Sequence, residues 1–66
     1  MEITANGEKR QVPDGITVAG LINEIGWPSG RIAVERNGEI VPKERFGSVV
    51  LGAGDRLEVV TLVGGG

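Results

Sequence analysis

Two Asn-Gly pairs, at 6–7 and 37–38, constrain this chain more than any other feature. Asparagine and glycine tolerate positive φ, and in succession they favour the two-residue turn whose twist suits a pair of antiparallel strands. Alternating polarity flanks both pairs. Met1, Ile3 and Ala5 fall on one side of an extended segment, with Glu2, Thr4 and Asn6 on the other. Ile32 and Val34 alternate with Arg31, Ala33 and Glu35 before the second pair, and Glu39, Ile40 and Val41 follow it. The pattern predicts two β-hairpins.

Between them the period changes. Residues 8–12 are polar except for Val12 and end at Pro13-Asp14-Gly15, which reads as a solvated edge strand closed by a turn. Val18, Leu21, Ile22 and Ile25 then form a one-sided helical stripe, with Thr17 as N-cap and Gly26 just past the C-terminus. Gly20 inside this helix costs about 1 kcal/mol relative to alanine, so packing against a sheet must hold the helix. Trp27-Pro28-Ser29-Gly30 reads as a loop, with Trp27 as a lid over the core. Residues 42–46 form either a turn or a short helical loop, and Val49-Val50-Leu51 is too short to assign.

Gly52-Ala53-Gly54-Asp55 leads into the last strand, residues 56–63, where Leu57, Val59, Thr61 and Val63 share one face and Glu58, Val60 and Leu62 the other. A strand apolar on both faces is expected at the centre of a sheet, yet one helix in so short a chain covers only one face. Val60 and Leu62 are therefore expected in an exposed apolar patch near the tail, as partner-docking residues.

Composition removes several chemistries. A chain of 66 residues has little length for an enclosed active-site cavity, which favours a binding or carrier module over an autonomous enzyme. It contains no cysteine and no histidine, so disulfides, thiolate metal sites and catalytic triads are excluded. A net charge of -2, without a basic cluster, predicts no nucleic-acid partner. No apolar run approaches the roughly 20 residues that span a bilayer, and a cytoplasmic protein without a membrane partner is expected. Arg31, Arg36, Lys43 and Arg45 alternate with Glu35, Glu39 and Glu44 as a solvated surface does. Gly52-Ala53-Gly54 precedes a strand and so is not a phosphate loop, and Asp55 and Glu58 read as turn and surface residues instead of a catalytic pair.

The sequence given ends in TLVGGG, and glycines offer no side chain that packs or catalyses. Either they are a frayed end, or the terminus itself does the chemistry. Asn6-Gly7, TVAGLINEIG at 17–26, IAVERNGEIVPKERF at 32–46, GDRLEVVTLVGGG at 54–66 and the final Gly65-Gly66 pair together resemble the ThiS family of sulfur carriers. The resemblance covers essentially the whole chain. Phe46, where the family usually has a larger aromatic, and the additional Gly64 depart from the family pattern.

That resemblance implies an α+β, ubiquitin-like β-grasp fold: a mixed four- to five-stranded sheet with one main helix on one face. The β-grasp domain would occupy residues 1–63 and a flexible glycine tail residues 64–66. It implies a non-enzymatic carrier for thiamine thiazole biosynthesis, with Gly66 modified and Gly64 and Gly65 as a slender approach to it. The Gly66 carboxylate, ionised with an ordinary pKa of about 3.5, would attack the α-phosphate of ATP in an E1-like adenylating enzyme of the ThiF type. Sulfur from a persulfide donor would displace AMP, and the thiocarboxylate would serve a thiazole synthase of the ThiG type. The carrier itself would bind no cofactor. A small subunit of molybdopterin synthase, a ubiquitin-like protein modifier and an interaction module with an inert tail are the alternatives.

Overall fold

The computed structural model of the chain describes residues 1–27 and 31–61. Strands β1 (Glu2–Ala5) and β2 (Glu8–Gln11) form the first hairpin, helix α1 spans Val18–Ile25, and strands β3 (Ile32–Arg36) and β4 (Glu39–Val41) form the second hairpin. A 3-10 turn, Lys43–Arg45, precedes the last strand, β5 (Arg56–Thr61). Each hairpin turns where the sequence places it. Asn6 and Gly7 have φ of 51° and 83°, and Asn37 and Gly38 have 52° and 86°, so both central residues of each turn occupy the left-handed region.

The strands lie in the order β2-β1-β5-β3-β4. β1 and β5 are parallel and the other neighbours antiparallel, so the two hairpins are joined edge to edge by the strand made last. With one helix on one face, this is the β-grasp arrangement, carried on five strands. Ile3, Val18, Leu21, Val34 and Leu57 are almost wholly buried where helix and sheet meet. Trp27 packs half-buried against this core.

Local chemistry sets the helix ends. The Thr17 hydroxyl accepts from the Gly20 N–H at 3.1 Å, and Gly26, with φ of 86°, donates its N–H to the Ile22 carbonyl at 3.0 Å. Two other first-turn donors find partners in the segment after the 3-10 turn: Val18 N–H meets the Val49 carbonyl at 3.0 Å and Ala19 N–H the Phe46 carbonyl at 2.8 Å. The stretch around Val50 thus forms an isolated antiparallel bridge with Thr17, and Leu51 is buried beside it. The sequence does not assign this segment because a single bridge has no periodicity. Gly20 has a packing role that propensity hides: a Cβ there would lie 3.1 Å from Ile16 Cγ1.

Both hairpin asparagines also hold β5. Asn6 reaches Val59 with its whole amide, donating Nδ2–H to the carbonyl at 3.0 Å and accepting the Val59 N–H on Oδ1 at 2.7 Å. Asn37 accepts the Arg56 N–H at 2.9 Å and donates to Asp55 Oδ1 at 3.1 Å. Asp55 is a turn residue, as expected, but a buried one, whereas Glu58 is exposed. Its Oδ2 accepts from Arg36 Nε and from the Gly52 N–H, both at 2.8 Å. Burial pushes the Asp55 carboxyl up, but the hydrogen bonds from Gly52, Asn37 and Arg36, with the Arg36 charge, outweigh it and hold the pKa below the ordinary 3.8.

Candidate docking site on the uncovered face of the sheet

Alternation along β5 decides which side chains meet the helix. Leu57 and Val59 are buried in the core, while Arg56, Glu58 and Val60 are exposed on the opposite face. Pairing extends that second face across the sheet. Val60 stands opposite Ala33 and Glu58 opposite Glu35 on β3, and Glu35 stands opposite Ile40 on β4. On the other side of β5, Arg56 neighbours Thr4 of β1, which in turn faces Lys9 of β2. This face therefore carries Val60, Ala33 and Ile40 with Glu58, Glu35 and Arg56 over β5, β3 and β4, and Glu2, Thr4 and Lys9 over β1 and β2.

Val60 is 56% exposed, as the two-faced polarity of the last strand predicts. Leu62, its expected companion, lies outside the described residues, as do Gly64, Gly65 and Gly66. Thr61, placed by alternation with Leu57 and Val59, is exposed instead. The register explains it: Ala5 is the last β1 residue paired with β5, at Leu57, and the Asn6 side chain continues that contact only to Val59. Thr61 lies beyond, paired with Ile32 on β3.

Ile40, 74% exposed, belongs to this face and was not singled out by the sequence pattern. The signal was present in the turn. A two-residue Asn37-Gly38 connection sets Val41 opposite the buried Val34, and the neighbouring Ile40 must then point to the other face. Val50, 53% exposed, was likewise not singled out.

No group of three or more His, Cys, Asp or Glu side chains able to hold a metal ion occurs among the described residues, and no described helix is long and apolar enough to cross a membrane. A cavity of about 240 Å³ opens on the helix side beside Ile22, Trp27, Ile32 and Phe46, with Asn23 and Lys43 as its polar lining.

Comparison with known proteins adds a consistent set of relatives. Residues 1–66 match the ThiS family. All 66 residues align at 46% identity with a thiazole synthase of Paramagnetospirillum magneticum, covering 20% of that protein. They also align at 39% identity with the uncharacterized protein ycf40 of Pyropia yezoensis, covering 93% of it. The chain thus spans about a fifth of the length of the thiazole synthases it matches. The crystal structure of the thiamine biosynthesis protein (ThiS) from Geobacter metallireducens superimposes with a TM-score of 0.86 at 29% identity, with each chain fully covered.

Proposed function

The chain belongs to the ThiS family, and from that premise we propose that it is a sulfur carrier for thiamine thiazole formation. The observation that carries the reading is the match over the whole chain, from Met1 through the glycines at 64–66. Two further observations support it. The same domain is similar to a region of thiazole synthases. β5 leads toward those glycines and carries the exposed Val60 on its uncovered face.

In this reading Gly66 ends the mature carrier with a free carboxylate. A carboxylate is a poor acyl donor, since its charge and resonance repel nucleophiles, and it must become a mixed anhydride before sulfur can replace oxygen. In a partner adenylating enzyme, a Gly66 carboxylate oxygen attacks the α-phosphorus of ATP and pyrophosphate departs, which leaves an acyl-adenylate. The terminal sulfur of a persulfide attacks the acyl carbon and AMP leaves. Reductive cleavage of the remaining S–S bond by a thiol frees the thiocarboxylate, which a thiazole synthase consumes. The chain's own part is to deliver the terminus: residues 62–66 span at most about 17 Å when fully extended, and glycines at 64–66 pass a slot too narrow for a Cβ. Val60 and Leu62 would dock the partner while the terminus reaches in.

Intact-mass measurement tests this directly. After incubation with ATP, adenylating enzyme and persulfide donor, the carrier gains the mass of one oxygen exchanged for sulfur, and the fragment carrying the change ends at Gly66. Deleting Gly66 removes the gain and leaves the melting temperature unchanged. Sulfur loading by the truncated chain would refute the assignment of the site.

A further inference from the structure

Glu35 of β3 and Glu58 of β5 stand directly opposite each other on the uncovered face. The Leu57 and Val59 backbone groups face β1 and Asn6, so those of Glu58 and Val60 face β3, and Glu35 and Glu58 form one of the wider, hydrogen-bonded pairs of that ladder. Like charges directly opposite in an antiparallel pair oppose the pairing of their strands. Among the described residues neither glutamate is held in a salt bridge, although Arg56 lines the same hollow as both. The salt bridges among the described residues join Arg36 to Asp55 and the Met1 amine to Asp14, and Arg56, exposed two residues before Glu58, bridges to neither glutamate.

Apolar side chains border the acidic pair. Val60 and Ala33 form the adjacent cross-strand pair on the same face, and Ile40 faces Glu35 from β4. Val60 and Ile40 lose nothing by exposure to a dry partner surface, and the two carboxylates lose their repulsion when a cation enters between them. One kind of surface meets both conditions.

We propose that this face docks a protein surface that presents an arginine flanked by apolar side chains. The guanidinium sits between Glu35 and Glu58, and its neighbours pack on Val60, Ala33 and Ile40. Arginine suits the place because its planar fork can hydrogen-bond two carboxylates at once and sheds water more readily than an ammonium. The occupant is taken to be thiazole synthase, since related thiazole synthases carry this domain within their own chain. The proposal rests on the docking reading of Val60 given above.

Titration calorimetry of the full chain against purified thiazole synthase, at low and high ionic strength, provides the test. The double variant Glu35→Gln/Glu58→Gln should raise Kd about tenfold at low salt and flatten the salt dependence of the wild type. Its melting temperature should hold or rise, because the facing charges are gone. Val60→Ser should raise Kd without changing the salt dependence. An unchanged Kd for the double variant, with a raised Kd for Val60→Ser, overturns the arginine inference and leaves the docking reading standing. Unchanged Kd for both variants, or no binding by the wild type, overturns the inference and the docking reading with it. Sulfur loading at Gly66, read by mass, is independent of all these outcomes.

Discussion

At the scale of single residues, the asparagines of the two turns do more than bend the chain. Asn6 and Val59 are 53 positions apart, yet the side chain of one satisfies both backbone groups of the other. Asn6→Gly separates these roles, because glycine keeps the positive φ and deletes the amide. We expect it to cost about 2 kcal/mol, from two lost hydrogen bonds and a part-buried Val59 N–H left without a partner, as read by chemical denaturation. No change in stability would mean that water replaces the amide without loss. Asp55 gives a prediction in pH. Its folded carboxyl titrates below 3.8, so the unfolded chain takes up a proton first as pH falls. The stability it contributes is complete above about pH 4 and is lost as pH drops through the folded value. Asp55→Asn should therefore lower stability at neutral pH and weaken the acid dependence of melting, whereas an acid profile identical to wild type would remove Asp55 from that role. The turns themselves were legible because positive φ is a property of two adjacent residues. The clamp on Val59 and the burial of Asp55 were not, since Asn6 and Val59 are far apart in sequence, as are Asp55 and its partners Arg36 and Asn37.

At the scale of elements, β5 carries two faces that its alternation keeps apart. Leu57, wholly buried, belongs to the core, and Val60, 56% exposed, belongs to the face that no helix covers. Leu57→Ala should cost about 3 kcal/mol, a large part of the stability of so small a domain. Val60→Asp should change the melting temperature little but abolish partner binding, and equal losses of both would make Val60 a core residue. Helix α1 and its caps were readable because Thr17 and Gly26 act on backbone groups within one turn of themselves. Val49-Val50-Leu51 was not readable, because it is held by Thr17 and Ile16 and not by any pattern of its own. The face carrying Val60 could be inferred, but its acidic pair required the β3–β5 register, which no local signal specifies.

At the scale of the whole molecule, the two hairpins share no strand and meet only through β5, parallel to β1 on one side and antiparallel to β3 on the other. Hairpin, helix and hairpin can be read in order from the sequence, but parallel pairing of the first strand with the last cannot, because it depends on how the helix crosses the sheet. A chain of residues 1–55 should accordingly give no cooperative unfolding transition, and a sharp one would show that the hairpins hold together through α1 alone. The same geometry sets a timetable for synthesis. The strand that completes the sheet is also the last of the described strands to be translated, so neither hairpin gains its central neighbour until residues 56–61 have cleared the ribosome. Until then the inner edges of β1 and β3 stand open to any extended chain nearby, and folding must await the closure of long-range contacts that local structure cannot hasten.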